Sequence, residues 1–504
     1  MVMAMGFLRA AMRRAAPRAL RSAAALAAHT AAGNARAFSS APFALGLVDD
    51  KPLSAQLNPL EVQQGCLLPG LPASEFQRRR AQLFDVLPIN SALIVNAAET
   101  KFMTHDIPYE FRQNSNFLYL TGLEEPDAHA VLLKTKDKCS FILFTRPRDA
   151  HSEQWDGERL GLDGAIERYH ADDAYQLTDL QPALHKILSG LTQVFVMSPD
   201  GGKYPAAFLD ATRGFHDKFF AGNFFVEQLR LVKSEYELER MRFAADVGAG
   251  GFIEMMKNTR AGMTELALAS HFEASCKRNG ALWNSFPNVV GSGANAAIIH
   301  YLAKRSLLQN DELVLVDSGC EVAGGYVSDI TRTWPVGGTL SQAQRDLYEF
   351  TLNVQKQCLA HLQHQLATKQ PISLDQLHDF SVKLMVDGMQ QFKILKSAGP
   401  SRGFTNRSML AEFQKYNPTH IGHYLGMDVH DTPHITRGAP LQPGMVITVE
   451  PGIYLPKGDQ QIPSEFRGIG IRIEDDVVIT ANGIEVITKQ IPKELGEMEA
   501  LRRA

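Results

Sequence analysis

The sequence contains no run of about 18 consecutive apolar residues, so a membrane-spanning helix is not expected. Cysteine is scarce. The five residues Cys66, Cys139, Cys276, Cys320 and Cys358 are odd in number, widely spaced and form no CxxC pair. That excludes a disulfide framework and a zinc–thiolate site, and leaves reduced thiols as the reading. A basic excess is also missing: the formal net charge is −4, which argues against a nucleic-acid partner. No internal repeat stands out. The remainder is ordinary for a globular chain, with 45% hydrophobic and 21% charged residues over 504 positions. Such a length allows about three domains or fewer.

A different absence marks the N-terminus. No acidic residue occurs before Asp49, while Arg9, Arg13, Arg14, Arg18, Arg21 and Arg36 stand among many alanines and several serines. An acid-free, Arg-rich segment able to form an amphipathic helix reads as an organelle transit peptide, since a matrix-negative potential favours cationic helices. Residues 1–40 are therefore expected to be a mitochondrial leader, cleaved near Phe38 or Ser39 after Arg36. A disordered basic tail and a chloroplast address are the competing readings. The expected location is the mitochondrial matrix, where reducing conditions suit unpaired cysteines.

Residues 41–60, rich in Pro, Leu and Ser, read as a linker. An α/β unit over 61–229 follows. Glu75–Leu87 has Phe76, Leu83, Phe84 and Leu87 at helical spacing, with Pro88 closing it. Short apolar runs at Ala92–Val95, Ala130–Leu133, Phe141–Phe144 and Val194–Met197 predict buried strands of a mixed sheet. No metal-ligand cluster is visible in this half. A boundary is expected near Leu229–Lys233. Ser234 and Glu237 then form a capping-box pattern opening a helix, and a second helix is expected from Thr264. Residues 230–492 make the second domain and 493–504 a tail.

Beyond about residue 310, short strands are expected at Leu313–Asp317, Asp329–Thr333, Met445–Glu450 and Gly470–Glu474, each containing or ending in a carboxylate. Side chains alternate along a strand, so Asp329 shares a face with Thr331, Thr448 with Glu450, and Arg472 with Glu474. Any one such acid would ordinarily be a solvated strand end or half of a salt bridge. Four acids desolvated together need cations. Two divalent ions would balance four carboxylates. An oxygen-rich donor set with a single imidazole suits Mn²⁺, Co²⁺ or Zn²⁺, and manganese is the first expectation. Two ions roughly 3.5–4 Å apart can share a hydroxide, lower its pKa and polarise a carbonyl, which is hydrolytic machinery.

The residues carrying this pattern also carry a resemblance. Asp317-Ser-Gly-Cys-Glu321, Gly325-Tyr-Val-Ser-Asp329-Ile-Thr-Arg-Thr333, His423-Tyr-Leu-Gly-Met-Asp-Val-His430, Glu450-Pro-Gly-Ile-Tyr454 and Gly470-Ile-Arg472-Ile-Glu474 resemble the signatures of the pita-bread metallopeptidases. The segments Tyr109–Gly122 and Glu153–Gly157 are similar to the N-terminal domain of aminopeptidase P (Xaa-Pro aminopeptidase). Methionine aminopeptidases lack that domain. The resemblance spans roughly residues 60 to 490 and includes the mitochondrial branch with the intermediate cleaving peptidase. It implies an α/β, creatinase-like N-terminal domain followed by an α+β pita-bread catalytic domain. It further implies that Asp317 holds one metal, Asp329 and Glu474 bridge two, and His423 with Glu450 holds the other. Glu450 becomes the expected proton shuttle. His300 and His430 match histidines that contact substrate near the scissile carbonyl, and Tyr454 and Arg472 match groups that orient the carboxylates. For His300 a buried, hydrogen-bonded ring is the structural alternative, and for Arg472 a simple ion pair with Glu474.

Two departures from the family pattern stand out. Asp317 and Asp329 are one position further apart than is usual, and Gly324-Gly325 predicts a looser hairpin that keeps both strands in register. Thr419 occupies a position where relatives often carry His, and His420 follows it; His420 is left outside the expected site.

The expected function is removal of the N-terminal residue from peptides or proteins, at Xaa-Pro bonds or on imported precursors after presequence removal. A prolidase acting on dipeptides, or a metal-free pita-bread module that binds peptides or proteins, are the alternatives. The family often forms dimers, and a homodimer is the expected assembly if any.

Overall fold

The computed structural model describes residues 58–197, 204–396 and 407–503. The expected leader (1–40) and nearly all of the linker (41–60) lie outside the described residues. The described chain divides into two compact units, one over Val62–Arg230 and the other from Leu231 onward, which also takes in the described residues up to Glu61.

In the first unit, α1 (Ala73–Val86) begins after Pro72 and stops where Leu87 turns extended ahead of Pro88. Phe76 and Leu83 lie on its buried face. The sheet contains β1 (Ser91–Asn96), β2 (His129–Lys134), β3 (Cys139–Thr145), β4 (Asp173–Gln176), β5 (Gln193–Val196) and β6 (Phe219–Ala221). Its order is β4-β3-β2-β1-β5-β6. The three central strands are antiparallel, and the remaining pairs are parallel, so the sheet is mixed. Ile94, Val131, Ile142, Phe144 and Val194 pack on one face against Leu184 and Leu188 of α2 (Leu180–Leu188). β4 and β6 are edge strands that the apolar pattern does not announce. β4 is half-exposed and polar, and β6 is only three residues long.

The second unit opens with α3 (Glu235–Asn258), capped by the reciprocal Ser234–Glu237 box. Then comes α4 (Glu265–Arg278), capped by Thr264. Four short sheets follow. β7 (Ala281–Asn284), β8 (Val289–Ser292), β9 (Leu313–Ser318), β10 (Cys320–Val322), β11 (Tyr326–Val327) and β12 (Ile330–Pro335) form the orders β8-β9-β12 and β11-β10-β7. The long helices α5 (Gln342–Ala367) and α6 (Leu374–Gln391) lie between these and the last strands. β13 (Val446–Val449), β14 (Gly452–Tyr454), β15 (Gly470–Arg472), β16 (Asp475–Thr480) and β17 (Gly483–Val486) give β13-β16-β17 and the pair β14-β15. One core runs through helices and strands, with Phe252, Phe272, Val314, Trp334, Leu352, Ile447 and Ile471 all buried. No helix among the described residues is long and apolar enough to cross a membrane.

The β9–β12 pairing decides where Asp317 stands. Asp317 pairs with Thr331 and Val322 with Tyr326, so a single register runs to the hairpin tip. The long Asp317–Asp329 interval is closed by the three-residue tip Ala323-Gly324-Gly325 without a break in register. There Gly324 and Gly325 adopt φ of +95° and +82°, a left-handed conformation open to glycine. At the waist of the hairpin, a Cβ on Gly319 would sit 1.9 Å from the Ser328 carbonyl oxygen. Only glycine lets the strands cross there.

Candidate metal centre

The acids named from the sequence arrive from four directions. Asp317 ends β9 and Asp329 directly precedes β12. Glu450 follows β13, with its amide donating to Ile421 O at 2.8 Å. Glu474 links β15 to β16, and its amide donates to Thr331 O at 3.0 Å. His423 lies on a segment that pairs alongside β13: Thr448 N donates to His423 O at 3.0 Å, and His423 N donates to Thr448 Oγ1 at 3.1 Å. Gly422 permits this approach, because a Cβ there would lie 2.0 Å from Thr448 O.

These side chains converge. His423 Nε2 is 3.3 Å from Asp329 Oδ2 and 3.5 Å from Glu450 Oε1. One donor atom each from Asp329, His423 and Glu474 falls within 4.8 Å of the others. Among the described residues this is the one such group. Arg472 reaches Asp317 Oδ2 at 2.6 Å, the Tyr454 hydroxyl at 2.6 Å and Thr331 Oγ1 at 3.0 Å. Thr331 in turn donates to Glu474 Oε2 at 2.6 Å, and Thr448 to Glu450 Oε1 at 3.1 Å. The alternative of a simple Arg472–Glu474 ion pair is not formed: Arg472 pairs with Asp317, and Thr331 stands between Arg472 and Glu474. Alternation explains the arrangement: Thr331 faces Asp317 directly across the β9–β12 ladder.

Burial and mutual repulsion set the electrostatics. Asp317 is pushed up to about 7 by burial, with Arg472 opposing and Asp329 and Glu450 adding to the rise. Burial, then the charge on Asp329 and the other acids, lifts Glu474 well above the usual carboxylate range. Glu450 is raised by burial against the pull of His423. Burial alone would lower the His423 imidazole, but the hydrogen bond to Asp329 and the charge of Glu450 prevail and hold it up at about 9. The field at this point favours positive charge.

His430 lies with its ring 4.6 Å from that of His423, edge to face. Burial, the neighbouring His423 and, more weakly, His300 lower its pKa. His300 is an exposed ring rather than a buried one. Its neighbours Ile299 and Tyr301 pack in the small cluster that contains Tyr454. His420 turns elsewhere. It stacks on His378 at 4.2 Å and lies 3.5 Å from Asp375, on the α6 side.

Three supporting residues went unnamed in the sequence. Arg332 is fully buried, bonds the backbone oxygens of Thr331 and Glu474, and pairs with Asp475 at 2.7 Å. Asp476 Oδ2 accepts the Asp329 amide at 3.1 Å. The third, Thr331, was seen only as a face-mate of Asp329. A short strand carrying Thr-Arg-Thr beside a metal ligand is the signal that could have drawn attention to the first and third.

Divalent ions fit this donor set. Asp317 Oδ1 is buried without a hydrogen-bond partner. Four carboxylates and one imidazole supply hard oxygen donors with a single nitrogen, and the field between them attracts cations.

The profile of metallopeptidase family M24 matches residues 239–481, and that of the aminopeptidase P N-terminal domain matches residues 76–195. The chain is 37% identical to human Xaa-Pro aminopeptidase 3 over 462 residues, covering 88% of this chain and 89% of that protein. It is 38% identical to the mitochondrial intermediate cleaving peptidase 55 of Arabidopsis thaliana over 448 residues, covering 88% and 86%. The chain belongs to metallopeptidase family M24. Among solved structures, aminopeptidase P from E. coli superposes with a TM-score of 0.77 at 34% identity, covering 86% of this chain and 98% of that one. A zinc-substituted form of the E. coli enzyme in complex with product superposes equally well. This M24 protein has the aminopeptidase P N-terminal domain and the pita-bread domain, and it is an aminopeptidase that depends on divalent metal. Its substrates are peptides.

Proposed function

We propose that Asp317, Asp329, His423, Glu450 and Glu474 hold two divalent ions, and that the enzyme releases the N-terminal residue of peptides with proline in second place. The observation carrying this reading is the convergence of the five side chains on one buried point, with His423 3.3 Å from Asp329. Asp317, Asp329, His423, Glu450 and Glu474 would hold the ions between them, Asp329 and Glu474 from the middle of the cluster. Manganese is the expected metal, since hard oxygen donors with one imidazole suit it; cobalt and zinc suit the same set. When bound, the ions supply an activated water and polarise the scissile carbonyl.

The protein's own groups do the rest. Glu450, whose Oε1 is held by Thr448, takes a proton from the attacking water and passes it to the leaving nitrogen. His430, whose ring lies 4.6 Å from that of His423, and the exposed His300 hydrogen-bond the substrate beside the scissile bond. Arg472 and Tyr454 fix Asp317 from behind.

A second substrate class has its own support. The acid-free Arg-rich leader, together with similarity to a mitochondrial intermediate cleaving peptidase, favours trimming of imported precursors in the mitochondrial matrix. One assay tests both: Mn²⁺-loaded protein on Xaa-Pro-Xaa peptides and on peptides beginning Tyr-Ser or Phe-Ser. Release of the first residue from the proline series supports the first proposal, and release from the second series adds precursor trimming. Cleavage confined to Xaa-Pro dipeptides would replace both with a prolidase. No release from any of them would overturn the assignment.

A further inference from the structure

Glu265, the first residue of α4, is fully buried and has no part in the reaction outlined above. Its Oε1 accepts from Ser292 N at 2.8 Å, Ser292 Oγ at 3.0 Å and Asn295 Nδ2 at 3.0 Å. Its Oε2 accepts from Ser306 N at 3.0 Å. Asn295 Nδ2 also donates to Ser306 Oγ at 2.9 Å, and the Glu265 amide donates to Ser306 O at 3.0 Å. Leu308 N donates to Met263 O at 2.8 Å, closing the same seam.

All four donors to the carboxylate are neutral. Burying an ionised carboxylate costs several kcal/mol unless strong hydrogen bonds offset it. Charge-assisted bonds from backbone amides and an amide side chain are of that kind, and the positive end of α4 adds to them. The donors come from the two ends of a single excursion: Ser292 and Asn295 on one side, Ser306 on the other. His300 sits in the middle. Ile299 and Tyr301 pack beside Tyr454, so the excursion is held at its base by Glu265 and at its flanks by apolar contact. Beyond the tip, Lys304 Nζ donates to Asn288 O at 2.9 Å and to Leu302 O at 3.1 Å, while Ile298 and Leu302 themselves are half exposed.

We propose that Glu265 is a positioning residue for His300, clamping both ends of the loop so that the exposed imidazole meets substrate in one place. This rests on the reading that His300 contacts substrate. Glu265→Gln replaces one accepting oxygen by a donor and frees one end of the loop, while keeping the side-chain shape. The test uses the Mn²⁺-loaded full chain and a tripeptide with proline second. In Glu265→Gln, kcat/KM is expected to fall about tenfold, mostly through KM, with metal content unchanged. In a His300→Ala background the same substitution should change kcat/KM less than twofold, because contacts that act through one group are not additive. Amide exchange over 292–308 should accelerate, with α3 unchanged. Asn295→Ala, which removes the Nδ2 bonds to Glu265 and Ser306 but leaves the Ser292 and Ser306 amide ties to Glu265, should show the same pattern at smaller size if Glu265→Gln fails to fold. Equal losses in both backgrounds, or unchanged exchange of the loop, would overturn the proposal. If His300→Ala behaves as wild type while Glu265→Gln loosens the loop, the substrate role of His300 fails and the clamp stands.

Discussion

Arg472 donates to Asp317 Oδ2 at 2.6 Å across a buried gap between β15 and β9. The same guanidinium reaches the Tyr454 hydroxyl and Thr331 Oγ1, so one planar fork fixes a carboxylate, a phenol and the threonine that holds Glu474. Lysine keeps the charge but offers no fork. Arg472→Lys is therefore expected to weaken metal affinity about 10- to 100-fold, measured by calorimetric titration of Mn²⁺ into metal-free protein. Wild-type affinity in that variant would show that the fork is not needed.

Glu450 is assigned both to metal and to proton transfer. In Glu450→Gln prepared at full metal content, kcat should fall by about 100-fold or more while peptide KM changes little, because general acid–base groups typically supply that much. Steady-state kinetics on one tripeptide measure the split. Equal effects on kcat and KM would remove the shuttle role.

Gly422 has no room for a side chain, since a Cβ would meet Thr448 O at 2.0 Å. Gly422→Ala must push the His423 segment off β13. A loss of about 1–3 kcal/mol is expected from such overpacking, read as a lowered denaturation midpoint, together with weakened Mn²⁺ binding. A stable variant with normal metal affinity would mean that the segment shifts freely.

His129 gives the first unit a pH dependence of its own. Burial drives its pKa down to about 4, and its Nδ1 lies 2.8 Å from Asn96 Oδ1. Unfolded, the ring titrates near 6.5, so between these values the unfolded chain binds the extra proton and stability rises with pH. The contribution is complete above about pH 6.5 and is lost as pH falls toward 4, amounting to roughly 3 kcal/mol. Denaturant unfolding at pH 7 and pH 4.5 should show this slope in wild type and a smaller one in His129→Phe. Equal slopes would assign the acid sensitivity to other groups.

The candidate acids were legible because each ends or adjoins a short apolar strand, where a carboxylate is conspicuous. Strand alternation also placed Thr448 beside Glu450, and the structure shows that hydrogen bond. Alternation within one strand could not show that Thr331 faces Asp317, since that depends on the register of β9 against β12, 14 residues apart in pairing. It therefore left an ion pair with Glu474 open as an alternative for Arg472, where the structure has Asp317. The capping boxes and helix starts at Ser234 and Thr264 are local chemistry and read correctly. β4, with its polar, half-exposed pattern, is set by pairing to β3 rather than by its own residues. Glu265 was not singled out, because an acid in a first helical turn carries no signal of its own. Its partners lie 27 to 41 positions away and appear only when the chain has folded.

The most direct test of the account is metal content measured beside activity, for wild type and Glu474→Ala dialysed against the same low free Mn²⁺. Wild type should retain two ions per chain and release the N-terminal residue of a tripeptide with proline second. Glu474→Ala should retain fewer than two and lose turnover. Two ions and full activity in Glu474→Ala, or an active wild type holding no metal, would contradict it.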